Sequence, residues 1–239
     1  MTDASREAQH DQRHQEEVRA GGNLLTVARN VEVPEIERYV NRRTTPLLVI
    51  ISGPSGVGKD VTLQRMRELG YPFHYTVTAT TRPIRPGEVD GLHYHFRTKD
   101  EFQRMREAGE LLEEAEVYGN FYGVPKSEVL EHLARGEDVI VKPDVQGARS
   151  MRALVPNAIY IFLAPPSMDE LEDRLRQRKT EDPAALERRL RIAREEMKAL
   201  PEYEYVVVNQ TDKLDECVEE IAAIMTAEKC RVNPRQISL

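Results

Sequence analysis

From Met1 to Ala20 the chain carries Asp, Glu, Arg, His, Gln and small polar residues almost without a break. So polar a stretch buries too little apolar surface to offset the entropy of ordering it, and a disordered tail is expected. Leu24, Leu25, Val27, Val31, Ile36 and Val40 then recur at roughly helical intervals, interrupted by Pro34, which predicts a short helix or two docked on the main body. The pattern changes after Pro46. Leu47-Leu48-Val49-Ile50-Ile51, bounded by Ser52 and Gly53, is apolar at every position, as in a strand buried on both faces of a parallel sheet. Val139 to Val141, Ile159 to Leu163 and Tyr205 to Val208 repeat the pattern, with charged sequence of helical period between them. The fold class this implies is α/β, a parallel sheet flanked by helices.

Two stretches depart from that texture. Between Thr78 and Lys126 lie short strand-like pieces such as His93-Tyr94-His95-Phe96, a Gly-Glu-Val-Asp-Gly turn and one helical segment from Asp100 to Ala108, which together suggest an inserted subdomain over 78–126. From Met168 to Leu200 the sequence is helical and rich in Arg, with N-cap and first-turn signals at Thr180-Glu181-Asp182-Pro183, so two helices meeting at a tight corner are expected as a lid over 168–200. The organisation predicted is a polar, partly disordered extension (1–44), one elaborated domain (45–232) and a short tail (233–239). A chain of 239 residues suits one such core better than two domains.

The first apolar run leads into Gly53-Pro54-Ser55-Gly56-Val57-Gly58-Lys59, and a helical pattern follows from Val61 to Leu69. Strand, glycine-rich turn and helix are the context of a phosphate-binding P-loop. The glycines let backbone N–H groups face phosphate oxygens, the helix N-terminus adds positive potential, and Lys59 reaches the outer phosphates. A nucleoside triphosphate is the expected ligand. The next position, where the motif places Ser or Thr to hold magnesium, is Asp60.

Charge then narrows the function. Lys plus Arg number 34 and Asp plus Glu 41, a net charge of −7 that argues against a dedicated nucleic-acid binder and requires anionic substrates to be drawn in by a local cationic site. Such a site is visible in the inserted stretch. Arg82 and Arg85 set two guanidinium forks three residues apart, Tyr94 follows, and Tyr122 adds a second phenol, a group suited to a phosphate monoester. Cys217 and Cys230 have no Cys-x-x-Cys or His partner at metal-ligand spacing and are expected to be free thiols. The polar opening and the lack of a membrane-length apolar run predict a cytoplasmic protein with no membrane partner.

The segment Thr80-Thr81-Arg82-Pro83-Ile84-Arg85-Pro86-Gly87-Glu88-Val89-Asp90-Gly91-Leu92-His93-Tyr94 closely resembles the GMP-binding signature of guanylate kinases. The likeness continues at Gly119-Asn120-Phe121-Tyr122-Gly123 and Asp144-Val145-Gln146-Gly147, and extends from about Leu47 to about Glu228. It implies a P-loop NTPase fold, ATP and GMP as substrates, and magnesium accompanying ATP. Gly53 to Asp60 would form the ATP site, with Asp60 a candidate magnesium contact. Arg82, Arg85, Glu88, Tyr94 and Tyr122 would belong to the GMP site, and Thr78, Glu113 and Asp144 would read the guanine base, Thr78 replacing the usual serine. Lys59, Arg178 and Arg189 would serve phosphoryl transfer, and Asn209 would stand near the adenine or cap a loop. Where the family has an acid on the strand two positions before Asp144, this chain has Lys142, so Asp60 and Lys142 are expected to form an ion pair.

Two other readings compete. Ribose 1,5-bisphosphate phosphokinase shares the fold and the Gly-Lys-Asp P-loop, but would not require the Arg82-to-Tyr94 signature with Glu113 and Asp144. A catalytically silent guanylate-kinase-like binding module is favoured by Asp60 and Lys142 and opposed by Lys59 and the lid arginines.

Overall fold

The computed structural model describes residues 45–117, 119–177 and 183–239. The N-terminal extension, with the helices predicted in it, and the lid corner that holds Arg178 lie outside the described residues. Strand β1 (Leu48–Ser52) runs into the glycine-rich turn and helix α1 (Lys59–Glu68), and β2 (His74–Tyr75) follows. The inserted stretch supplies β3 (Ala79–Thr80), β4 (His95–Phe96), α2 (Lys99–Glu107), β5 (Leu111–Val117) and β6 (Asn120–Pro125). The chain then returns through α3 (Lys126–Ala134), β7 (Val139–Val141), α4 (Val145–Leu154) and β8 (Ile159–Ala164). Helices α5 (Met168–Gln177) and α6 (Pro183–Met197) precede β9 (Tyr205–Val208) and α7 (Leu214–Lys229).

The main sheet is parallel in the order β2-β7-β1-β8-β9, with β1 at its centre. Every residue of β1 is buried, as an all-apolar strand requires when helices cover both faces. Alternation along the strands divides the core. Val49, Ile51, Ile140 and Ile161 pack with Leu63 and Met66 of α1 and Val218 and Ile221 of α7. Leu48, Ile50, Val139 and Val141 face the other way, onto Val129 of α3 and Ala148 and Met151 of α4. The predicted strands appear within a residue of their expected bounds. Strand β2, two residues long, was not anticipated, since so short a piece carries no period.

The insertion forms a separate four-stranded sheet, ordered β4-β3-β6-β5, in which β6 runs antiparallel to both β3 and β5. Helix α2 begins one residue before the predicted Asp100. Thr98 closes a capping box there: its hydroxyl accepts the Glu101 N–H at 3.2 Å and the Glu101 carboxylate accepts the Thr98 N–H at 2.7 Å. Phe102 anchors the helix, fully buried, with its ring stacked 5.6 Å from that of Phe121 on β6. The tail is tied down by Arg235, which pairs with Glu228 at 2.8 Å and Glu204 at 2.9 Å. No helix among the described residues is long and apolar enough to cross a membrane, and Cys217 and Cys230 are free thiols.

Phe102→Ala is expected to lower folding stability by about 3–5 kcal/mol, the usual cost of emptying a buried aromatic site. Urea denaturation measures this; a loss under about 1 kcal/mol would show that the insertion does not depend on the contact.

Candidate active site

The P-loop spans the turn from the C-terminal end of β1 to α1, with Pro54 to Asp60 lining a cavity and Gly53 buried at its base. Gly58, the N-cap of α1, has φ 104°, and a Cβ there would lie 2.4 Å from Asn209 Nδ2, so both conformation and space demand glycine. Asn209 is buried and its amide donates to Val57 O at 2.8 Å, which makes it the loop's brace and bears out the loop-cap alternative. Arg174 of α5 completes the brace. Its guanidinium donates to Val57 O at 3.3 Å and Asn209 O at 2.7 Å.

Within this cradle Lys59 Nζ donates to the loop's own carbonyls, Gly53 O at 2.6 Å and Pro54 O at 3.3 Å. Burial pulls its pKa down to about 8, against the opposing pull of Glu196 and Asp60. Helix α6 reaches the same loop twice. Arg189 Nη2 donates to Ser55 Oγ at 3.1 Å, and the Ser55 backbone N–H donates to Glu196 Oε2 at 3.1 Å. The Glu196 carboxylate, its pKa raised by burial, thus takes one of the amides that a phosphate would take. Sequence inspection missed Glu196. Its signal was spacing: it lies seven residues after Arg189, two turns along the same helix face.

The expected Asp60–Lys142 pair is present. Lys142 follows the last residue of β7 and its ammonium donates to Asp60 Oδ1 across the mouth of the P-loop.

On the acceptor side, Arg82 and Glu88 form a two-pronged pair, Nη2 to Oε1 at 2.7 Å and Nη1 to Oε2 at 3.0 Å, and Glu88 also accepts the Arg85 backbone N–H at 2.7 Å. Glu88 therefore orients the Arg82 guanidinium and holds the backbone at Arg85. The pairing raises the Arg82 pKa and lowers that of Glu88, so both stay charged. The Arg82 guanidinium also stands 5.3 Å over the Tyr94 ring, which meets Tyr122 edge-on at 6.0 Å. Arg82, Tyr94 and Tyr122 are thus together, while the Arg85 side chain is exposed beside them.

Glu113 on β5 is only 9 % exposed, and its Oε2 has no hydrogen-bond partner. Burial first, then the nearby Asp144 and Glu114 charges, push its pKa up to about 7. Asp144 caps α4 by accepting the Gly147 N–H at 2.7 Å. A Cβ on Gly147 would sit 2.5 Å from Glu113 Oε2, so glycine there leaves room for the carboxylate. Asp144 also lines the P-loop cavity, which makes it the residue shared by the two halves of the site. Thr78 stands just before β3, where its carbonyl accepts the His95 N–H at 3.0 Å.

Comparison with known proteins agrees with this arrangement. The guanylate kinase family model matches residues 45–228. A guanylate kinase of Desulfitobacterium hafniense is 45% identical over 186 residues, covering 78% of this chain and 92% of its own. A chloroplastic/mitochondrial guanylate kinase 2 of Oryza sativa is 45% identical over 195 residues, 81% of this chain and 68% of its own. The crystal structure of guanylate kinase from Anaplasma phagocytophilum superposes with a TM-score of 0.62 at 31% identity, over 79% of this chain and 88% of that one. With a family model matched from one end of the described body almost to the other, the chain belongs to the guanylate kinase family.

Proposed function

We propose that this cleft transfers the γ-phosphate of ATP to GMP, giving ADP and GDP, with the P-loop as donor site and the insertion as acceptor site. The observation that carries the reading is Glu113, a buried carboxylate with an unpartnered oxygen beside Asp144. A buried acceptor without a donor is costly unless a ligand supplies one. Guanine presents N1–H and N2–H₂ on its Watson–Crick edge, where adenine presents an acceptor and a different donor arrangement. A sugar bisphosphate has no such edge, so the phosphokinase alternative leaves Glu113 unexplained.

In this reading Arg82, Arg85, Tyr94 and Tyr122 hold the GMP phosphate, with Glu88 as the positioning residue for the arginines. Thr78 assists at the base. Phosphoryl transfer needs two anions aligned in line and the charge on the moving group stabilised. Lys59 and Arg189 supply that stabilisation at Ser55 and the loop carbonyls they already touch, and Arg178 is assigned the same role from the family pattern. Closure of α5 and α6 excludes water that would otherwise hydrolyse ATP.

Magnesium suits the donors present. It favours oxygen ligands and is held by one or two carboxylates plus substrate phosphates, and Asp60 and Asp144 are the carboxylates of the β7 and P-loop rim that line the cavity. Held there with ATP, it would supply neutralisation of the charge that develops on the phosphoryl group. The reaction belongs to the cytoplasm in this reading, which the two free thiols support.

A coupled assay with ATP, magnesium and either GMP, AMP or ribose 1,5-bisphosphate tests the assignment; comparable kcat/KM for GMP and AMP would refute it. Because Glu113 titrates near pH 7 before ligand binds, and only its carboxylate accepts from guanine, KM for GMP should rise as pH falls below about 7, approaching tenfold per unit. Glu113→Gln should flatten that part of the profile and weaken guanine selectivity, leaving only titration of the GMP phosphate near pH 6. An unchanged profile would remove Glu113 from base recognition. Glu196→Gln should tighten ATP binding several-fold, on the order of 1 kcal/mol, by weakening the internal competitor for the Ser55 amide and Lys59. Calorimetric titration showing equal or weaker binding would show that Glu196 does not compete.

A further inference from the structure

The P-loop motif places a hydroxyl after its lysine to hold magnesium, and this chain places a carboxylate there. Two features of the structure give that carboxylate a defined orientation. The Lys142 ammonium takes Asp60 Oδ1, and no other hydrogen bond or ion pair to Asp60 is made by the described residues. The lysine is the fixed member: its side chain is 22% exposed and its ammonium stands 5.4 Å over the Tyr75 ring, whereas Asp60 is 76% exposed at the cavity rim. Asp60 is thus steered by one oxygen, and it lines the same cavity as Lys59 and Asp144.

Charge explains why the two residues occur together. A lone carboxylate at the first turn of α1 would repel the triphosphate that the loop and helix terminus attract. A lone lysine at the end of β7 would compete with magnesium for phosphate oxygens. Joined, they form a neutral unit with one oxygen unoccupied by protein, and magnesium takes oxygen ligands or the waters that keep it company.

We propose that Asp60, oriented through Oδ1 by Lys142, contacts the magnesium of bound ATP with its second oxygen, directly or through a metal-bound water, in place of the P-loop hydroxyl. The inference rests on the ATP site read above, and it makes Lys142 a positioning residue: its removal acts on metal through Asp60.

The test is a double-mutant cycle on the full chain, Asp60→Ser, Lys142→Glu and both together, which returns the site to hydroxyl plus strand acid. Calorimetry gives the affinity for ATP with magnesium and with EDTA, and manganese electron paramagnetic resonance gives the affinity of the metal for the protein–ATP complex. Each single change should lower the metal-dependent gain in ATP affinity about tenfold, and the pair should recover to within about threefold of the unchanged chain. Additive losses, or single changes that leave metal affinity intact, would overturn the proposal. Thermal melting checks each fold, and should Lys142→Glu not fold, Lys142→Met replaces it, with the same single-variant loss of metal affinity expected. GMP affinity, titrated separately without ATP, should be unaltered throughout; failure of the unchanged chain to bind GMP would refute the functional reading while leaving the metal cycle to be judged on ATP alone.

Discussion

A loop that offers amides and an ammonium to a triphosphate has to keep its shape when the triphosphate is gone, and the rest of this site is arranged around that requirement. The loop cannot hold itself, because the glycines that let its N–H groups turn inward also leave it few side chains to pack. Support comes from behind. Asn209 and Arg174, from the end of β9 and from α5, both donate to Val57 O, and Gly58 is the position whose missing Cβ lets Asn209 approach. The carbonyl side of the turn is thereby fixed, which leaves the N–H side to face the cavity. In the reading proposed above α5 also closes over the phosphates, so that one element would both cover and brace their cradle.

Carboxylates of the protein take up the amide and cations around the cleft. Glu196 takes the Ser55 amide, Glu88 takes both prongs of Arg82, and Asp60 takes Lys142. A chain carrying net charge −7 has carboxylates to spare for this, and each cation it compensates is presented already oriented. In the reading proposed above a phosphate replaces Glu196 at the loop, whereas Glu88 and Asp60 stay paired with the cations they orient. Glu113 is the opposite case, a buried carboxylate with nothing in place, and burial answers by raising its pKa toward neutrality.

What was legible in the sequence follows from which forces act locally. Buried parallel strands are apolar throughout, so β1, β7 and β8 could be read from composition alone, and the P-loop from glycine spacing beside them. The apolar run of β9 could be read the same way, although β9 is an edge strand with Val206 and Val208 exposed. The Arg82-to-Tyr94 cluster was legible as chemistry because its members lie close in the chain. Pairing Asp60 with Lys142 required two departures from one motif pattern to be read together. Glu196 and Arg174 escaped because they lie on helices crowded with charge, where the sequence does not say which side chain turns inward. Strand β2 escaped because two residues have no periodicity, and its partner β7 lies far along the chain.

Lys59 shows how the pieces act on one another. Its ammonium is buried, and burial alone would favour the neutral amine, yet the nearby carboxylates Glu196, Asp60 and Asp144 all favour the charge. Lys142 acts against it, and by pairing with Asp60 it also removes part of the support that Asp60 would give. The lysine therefore sits near pH 8, held charged at neutral pH by a narrow margin that comes mainly from Glu196. In the reading proposed above, phosphates that displace Glu196 from the loop would bring more negative charge than they remove, and Lys59 would be drawn more firmly into its charged form. The sign matters: a site whose cation was stabilised fully in advance would gain less from the substrate.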